Sequence, residues 1–262
     1  MLYLNGRTLP ITNFPDNTSQ VWKLSRGDLD YTFAIIRWDY SHEGEFLHLA
    51  QLKALLDKHS VPATLRITYL PYGRQDKNIS NTSTFALFVF AKLLNFLKFD
   101  EVVLHDPHSE VALEVIKNSR AIYPTDEVEK VILSTNCNML CYPDKGARTK
   151  YKNVYNIFSY PVIYGEKVRD QLTGDITSYE LVGDPYNKNV LIIDDICDGG
   201  ATFKILAKDL LAKGAKSVVL FVTHGIFSKG LKTLKEAGIK QVFTQDGEAY
   251  EHENGIMYRR LS

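Results

Sequence analysis

The run Val190-Leu-Ile-Ile-Asp-Asp-Ile-Cys-Asp-Gly-Gly-Ala-Thr202 puts two adjacent carboxylates, Asp194 and Asp195, at the end of an apolar, strand-like segment. A turn of Asp198, Gly199, Gly200, Ala201 and Thr202 follows at once. Beyond it, the spacing of Phe203, Leu206, Leu210 and Leu211 predicts a helix. A buried strand leading into such a turn delivers its last residues to the carboxyl edge of a sheet, where open α/β folds place ligands. Gly199 and Gly200 permit a backbone in which several N–H groups converge beside a helix N-terminus carrying partial positive charge. The carboxylates can accept hydrogen bonds from vicinal hydroxyls, and the turn can hold a phosphate. A sugar phosphate satisfies both. The same residues also fit a plain strand–turn–helix with Asp198 as its N-cap.

A second segment, Leu65-Arg-Ile-Thr-Tyr-Leu-Pro-Tyr-Gly-Arg-Gln-Asp-Lys77, again runs from an apolar strand into a polar loop, here with a fixed cation in the middle. Arg74 offers a planar fork of donors suited to phosphate or carboxylate, and Gln75 can donate and accept at a base edge or hydroxyl. An ordinary solvated turn with a surface ion pair is the plainer reading of this loop.

Together the two segments single out a family. Asp194–Thr202 resembles the phosphoribosyl-diphosphate (PRPP) loop shared by type I phosphoribosyltransferases and PRPP synthetases. Pro71-Tyr-Gly-Arg-Gln-Asp-Lys77 resembles the Pro-Tyr-Ala-Arg-Gln-Asp-Lys ATP loop of PRPP synthetases. Further matches fall in the family's order: Leu104-His-Asp-Pro-His-Ser109 with Asp106 and His108, Pro143-Asp-Lys-Gly146, Glu166-Lys-Val-Arg169, and Val222-Thr-His-Gly-Ile-Phe-Ser228. Phe14-Pro-Asp-Asn-Thr-Ser-Gln-Val21 is similar to the loop that stacks on adenine. The resemblance spans roughly residues 1–245.

It implies a Mg-ATP-dependent diphosphokinase that moves pyrophosphate to the anomeric hydroxyl of a 5-phosphoribosyl acceptor and releases AMP. Ribose 5-phosphate, giving PRPP, is the first acceptor. By the resemblance, Arg74 and Gln75 contact ATP, with Phe14 and Asp16 at its adenine. His108 and Asp144 stand at the magnesium ion. Asp194 and Asp195 hold the ribose hydroxyls, and Asp198, Gly199, Gly200, Ala201 and Thr202 cradle the 5-phosphate. Lys167 and Arg169 open a mobile catalytic loop and, with His108, form the catalytic set. The stretch from Arg169 to Asp184 is poor in apolar periodicity, with Gly174 and Gly183 as hinges; a plain surface hairpin is its other reading. In the family the adenine loop comes from a neighbouring subunit, which implies a homo-oligomer. His42, His48, His59 and His105 are read as local hydrogen-bonding residues.

The departures bear on the acceptor. The family reads Asp-Thr-Gly-Gly-Thr in the phosphate loop, whereas this chain has Asp198-Gly-Gly-Ala-Thr202. Gly199 therefore lacks a hydroxyl and is expected to leave open space. Thr18 stands where the adenine loop usually has Glu, and the chain is shorter than typical members, so regulatory sites at their subunit contacts are expected to be missing. Compact proteins of this type are associated with phage NAD-rebuilding pathways, where the same transfer reaches ADP-ribose. Transfer to ADP-ribose is thus the second reading. A non-catalytic, synthetase-associated regulatory subunit is the third, disfavoured by the presence of Arg74, His108, Lys167, Arg169 and the Asp194–Thr202 loop.

The elements that must position these groups alternate along the chain. Strands are expected at Tyr31–Ile36, Leu65–Tyr69, Glu101–Leu104, Met139–Tyr142, Pro161–Tyr164, Val190–Ile193, Ser217–Val222 and Gln241–Thr244. Helices are expected at Glu45–His59, at a very apolar and buried Ser83–Leu97, at Thr202–Lys213 with Gly214 as its stop, and at Lys229–Ala237. Such alternation predicts an α/β fold with mainly parallel sheets. With the resemblance it becomes two related doubly wound, type I phosphoribosyltransferase-like halves, residues 1–125 and 126–262, with the active site in the cleft between them. The polar stretch Tyr123–Lys130 is expected to join them. Of the 262 residues 45% are hydrophobic, enough for a buried core, and 31 basic residues balance 31 acidic ones, giving no charge argument for nucleic acid or membrane. Cys137, Cys141 and Cys197 lack zinc-site spacing and read as reduced structural thiols. With no signal peptide and no spanning apolar run, the expected setting is cytoplasmic and soluble.

Overall fold

The computed structural model describes residues 1–169, 176–245 and 257–260. The chain divides into two units, Met1–Tyr123 and Pro124–Ser262.

The first unit opens with β1 (Leu2–Leu4) and β2 (Arg7–Thr8), then a hairpin of β3 (Ile11–Asn13) and β4 (Ser19–Val21). β5 (Ala34–Trp38), α1 (Glu45–Lys58), β6 (Ala63–Ile67), α2 (Ala86–Phe96), β7 (Glu101–His105), α3 (Val111–Val115) and β8 (Ser119–Ile122) follow. Its sheet runs β2-β1-β5-β6-β7-β8, and β5 through β8 are parallel. The first of these strands begins at Ala34 rather than Tyr31 and runs to Trp38, whose indole is fully buried. Trp38 Nε1 donates to Glu45 Oε2 at 2.9 Å, and Ser41 N–H donates to the same oxygen at 2.9 Å. Burial penalises this carboxylate, but these donors, with the N-terminal ammonium, more than offset that and hold it down at about 2.

α1 buries Leu49, Leu52 and Leu56 on one stripe, as its periodicity requires. α2 departs from expectation. It buries Leu87, Phe90, Ala91 and Leu94 but leaves Phe88, Val89, Leu93 and Phe96 exposed. A helix apolar all round carries no sequence mark of which face meets its own sheet.

The second unit comprises α4 (Thr125–Thr135), β9 (Met139–Tyr142), α5 (Lys145–Tyr151), β10 (Val162–Arg169), β11 (Ile176–Val182), β12 (Asn189–Cys197), α6 (Ala201–Ala212), β13 (Ser217–Gly225), α7 (Lys232–Glu236), β14 (Ile239–Thr244) and β15 (Met257–Arg260). Its sheet runs β11-β10-β9-β12-β13-β14-β15, parallel except where β11 pairs with β10. β13 is buried along nearly its whole length and β12 through its apolar run Val190–Ile193, as continuous apolar runs covered on both faces should be.

The expected joining stretch is instead the start of α4, which buries Val128, Val131 and Ile132 and ends on Asn136 in the left-handed region. The stretch from Arg169 to Asp184, expected as a mobile catalytic loop or a plain surface hairpin, contributes the end of β10 and all of β11, which pair antiparallel at the sheet edge. Gly174 lies outside the described residues. Gly183, expected as a hinge, has φ +116°, and a Cβ there would come within 2.3 Å of Ile163 Cγ2. The glycine allows close packing. Gly214 ends α6 with φ +85°, as its position predicts. The three cysteines are free and buried. Among the described residues no helix is long and apolar enough to cross a membrane.

Candidate active site

Parallel strands end at one edge of a sheet, so in the second unit the residues following β9, β12 and β13 share an edge. β9 hands over to Asp144, whose Oδ1 accepts from Ala147 N–H at 2.9 Å and caps α5. β12 carries Asp194 and Asp195 near its end and runs on into the turn Asp198–Gly200. β13 ends in Thr223, His224 and Gly225, the first two buried, with His224 in register with Ile196 of β12.

The acidic pair is electrostatically strained. Burial pushes the Asp194 carboxyl well above its ordinary value, the charge of Asp195 adds to this, and the charge of Asp144 acts in the same direction. Asp195 is buried, and its Oδ2 lies 3.5 Å from Lys150 Nζ, itself largely enclosed. Lys150 is carried by α5, so the helix capped by Asp144 also brings a cation to the acidic pair. Lys145 of the same helix pairs with Glu166 of β10 at 3.1 Å, and the Arg148 guanidinium lies 4.0 Å from the centre of the Tyr164 ring. These contacts hold α5 against the strand that carries Lys167 and Arg169. The side chains of those two residues lie outside the described ones. Their backbones pair with Tyr179 and Ile176 of β11.

The geometry of the turn after β12 resolves one alternative. Asp198 is not the helix cap: Gly200 stands at the N-cap of α6 with φ +74°, in a conformation suited to glycine. Asp198 Oδ1 instead accepts from Ser228 Oγ at 2.6 Å. The N–H groups of Ile226 and Phe227 donate to Cys197 O at 2.9 and 3.0 Å. The loop after β13 is thereby tied down over the turn after β12. The expected open space beside Gly199 is bordered by another side chain, at ordinary van der Waals distance. A Cβ there would meet the Lys229 stem, with Cδ at 3.4 Å and Cε at 3.5 Å. Ala201 and Thr202 form the first turn of α6.

In the first unit, the turn after β6 carries Arg74 and Gln75, and the loop after the adjacent, parallel β7 carries His108, so these residues share that sheet's carboxyl edge. Gln75 is fixed through its backbone: its N–H donates to Tyr72 O at 2.9 Å and its carbonyl accepts from Leu87 N–H at 3.2 Å. Arg74 and His108 are exposed. Asp106, read as part of the same element, is buried with φ +44°.

Phe14 and Asp16 sit apart from these, at the tip of the β3–β4 hairpin. That hairpin is clamped to α1 by Ser19 Oγ with His48 Nε2 at 2.6 Å and by Val21 N–H donating to Gln51 Oε1 at 2.8 Å. His48 thus has the local role read from the sequence. Phe14 stacks on Trp22, with ring centres 6.2 Å apart. Thr18, which replaces the usual Glu, donates its hydroxyl and its N–H to Asp16 Oδ1 at 2.7 and 3.0 Å, lowering the Asp16 carboxyl.

Three polar residues at the second edge were not singled out by sequence: Lys150, Ser228 and Lys229. Lys150 and Lys229 sit among many exposed lysines in the sequence and carry no local mark. Ser228 closes the quoted Thr-His-Gly-Ile-Phe-Ser segment, which was a pointer without a role. Among the described residues, no group of three or more His, Cys, Asp or Glu side chains forms a metal cage. The mutual repulsion of Asp144, Asp194 and Asp195 nevertheless suits a site that receives a hydroxylated substrate together with a divalent cation carried on phosphates.

No family profile matches the chain. Its similarity to individual proteins is extensive. The chain is 31% identical over 231 residues to the ribose-phosphate pyrophosphokinase of Pyrococcus furiosus, covering 84% of this chain and 81% of that one. It is 30% identical over 224 residues to the Pyrococcus abyssi enzyme of the same name, covering 84% and 77%. The crystal structure of phosphoribosylpyrophosphate synthetase from Mycobacterium smegmatis superimposes with a TM-score of 0.67 at 21% identity, over 90% of this chain and 78% of that one, a likeness of fold. By the extent and identity of these alignments, on the sheet-edge geometry described above, the chain belongs to the ribose-phosphate pyrophosphokinase family of enzymes.

Proposed function

We propose that this enzyme transfers the β,γ-pyrophosphoryl group of ATP to the anomeric hydroxyl of ribose 5-phosphate, yielding PRPP and AMP. The observation that carries the reading is the second sheet edge. An acidic pair, its Asp195 buried, lies near the end of the central strand, before a glycine turn at a helix N-terminus, in a chain 31% identical to a ribose-phosphate pyrophosphokinase. In the step itself, the anomeric oxygen forms a bond to the β-phosphorus as the bond from that phosphorus to the oxygen of the α-phosphate breaks. The hydroxyl proton is released and AMP leaves with the bridging oxygen. Such a displacement needs in-line positioning and neutralised charge more than a covalent intermediate.

Asp194 and Asp195 accept from the ribose hydroxyls, and Lys150 keeps the deeper carboxylate paired. The Asp198–Thr202 turn receives the 5-phosphate at the α6 N-terminus, where backbone N–H groups and helix polarity favour an anion. Arg74 and Gln75 hold ATP, and Phe14 and Asp16 its adenine, from a loop contributed within a homo-oligomer. Lys167 and Arg169 bring positive charge to the transferred group. His108 and Asp144 would hold magnesium, directly or through water, and the bound ion would supply positive charge to the phosphates. Transfer to ADP-ribose draws on open space over Gly199, which the exposed Lys229 stem borders.

The test is direct. The protein is incubated with Mg-ATP and either ribose 5-phosphate or ADP-ribose, and AMP and the mass gained by each acceptor are measured. A pyrophosphoryl gain on ribose 5-phosphate with stoichiometric AMP is the expected result. No gain on ribose 5-phosphate, or a gain confined to ADP-ribose, overturns the reading.

A further inference from the structure

The chain lacks a side chain at Gly199, where the resembled loops carry a threonine, and a residue distant in sequence lies beside that position. Gly199 does not require glycine for its own conformation, since its φ lies outside the left-handed region, unlike that of Gly200. What a side chain there would meet is Lys229, with Cδ, Cε and Cγ at 3.4, 3.5 and 3.7 Å from the Cβ position. The apolar stem lies along the turn backbone, and the ammonium is one bond beyond Cε.

Lys229 is exposed, and a lysine on a surface is usually a solvated, mobile group. Here its backbone is held on both sides. Ser228 Oγ is bonded to Asp198 at 2.6 Å, Phe227 N–H donates to Cys197 O at 3.0 Å, and Gly230 N–H closes the turn on Phe227 O at 2.8 Å. Two of these tethers end on Asp198 and Cys197, the two residues before Gly199. The lysine therefore starts from a fixed point, and the missing Cβ gives its stem a surface on which to lie. No ion pair is made by Lys229 among the described residues. The N-terminus of α6 is capped by no side chain at Gly200. A cation and a helix N-terminus thus flank the same short turn.

We propose that Lys229 is a phosphate-binding residue of the acceptor site, taking over with its ammonium the contact that a threonine hydroxyl makes in the resembled loops. Gly199 and Lys229 are neighbours in space: the glycine leaves the turn without a side chain of its own, and the lysine beside it supplies the contact. The inference rests on reading Asp198–Thr202 as the acceptor-phosphate turn. A phosphate monoester and the diphosphate of a nucleotide-linked ribose offer the same chemistry to an ammonium, and the experiment separates them.

Binding of ribose 5-phosphate, ADP-ribose and ATP is measured by titration calorimetry for the full chain and for Lys229→Met, which keeps the stem and removes the charge. Lys229→Arg, Gly199→Thr and the double variant Gly199→Thr/Lys229→Met complete the set. Lys229→Met is expected to weaken the acceptor about tenfold, the loss typical of a charge-assisted contact, and to leave ATP unchanged. Lys229→Arg should recover most of the loss. Gly199→Thr alone should displace the stem, so the double variant should bind the acceptor no worse than Lys229→Met. The acceptor whose affinity falls identifies monoester or diphosphate as the group held. Acceptor affinity in Lys229→Met within twofold of the parent overturns the proposal and leaves the function standing. Binding of ATP without binding of either acceptor by the parent chain would instead sink the phosphate-turn reading itself, and Lys229 with it.

Discussion

Replacing Lys150 by methionine tests how the acidic pair is sustained. Lys150 Nζ lies 3.5 Å from Asp195 Oδ2, and the two side chains are only 12% and 7% exposed. At an effective dielectric constant of about 20, a charge pair at that separation is worth about 5 kcal/mol before desolvation is counted. Desolvation of both ions cancels part of this in the intact pair. Removing one partner alone costs roughly 3–5 kcal/mol, because the other charge stays buried. Asp195 has interactions besides Lys150, so the low end, about 3 kcal/mol, is expected. For a chain of this size that corresponds to a melting point lowered by about 6–12 °C. Scanning calorimetry of Lys150→Met, Asp195→Asn and the double variant at pH 7 gives the coupling directly. The double variant should be more stable than Lys150→Met, since it removes the stranded charge as well. Lys150→Met should also raise the acceptor KM more than the ATP KM, because Asp195 is proposed to accept from the ribose hydroxyls. A melting point within about 2 °C of the parent, with additive single and double variants, refutes the reasoning: the pair would then contribute nothing that a solvated surface pair does not.

Two further outcomes follow from the same edge and its neighbouring hairpin. The Asp194 carboxyl is raised above its unfolded value of 3.8, so the native state binds that proton more tightly and loses stability as pH climbs from 3.8 through the raised value. Asp194→Asn should therefore be more stable than the parent at pH 7, lose that advantage near pH 3, and bind acceptor at least tenfold more weakly; a variant less stable than the parent at pH 7 in thermal melts contradicts this. Lys167→Ala and Arg169→Ala should each lower kcat about 100-fold or more with little change in melting temperature, the signature of lost transition-state charge, and near-normal turnover in both removes them from the catalytic set.

Much of the chemistry was legible because it is local. The apolar run before Asp194, the carboxylate pair, and the glycine turn leading into a helical period lie in consecutive residues. A strand that ends in a loop announces its own ligand edge. The Arg74 loop after β6 is legible for the same reason, and so is the Gly214 stop of α6, where a single residue type answers a single backbone requirement. The alternation of strands and helices was enough for a mainly parallel α/β fold. Helix α4 was missed because its charged first turn, with Asp126 and Glu127, reads as a solvated linker until Val128, Val131 and Ile132 are seen packed together. The exposed face of α2 was missed because an all-apolar helix has no polar side to mark the outside.

What only the tertiary structure decided is how the edge is completed. β12 lies between β9 and β13, so its acidic pair is flanked by one segment from earlier in the chain and one from later. Lys150 reaches Asp195 from α5, which follows β9. Ser228 reaches Asp198 from beyond β13, 30 residues away in sequence. Lys229 lies beside Gly199 from the same loop and borders the space that the missing side chain leaves. Periodicity and propensity describe a segment and its own turns. They carry no information on which distant lysine among many will have its backbone tethered beside a glycine. That selection is made by strand order and by the hydrogen bonds that bind one loop over another, and these exist only once the sheet has formed.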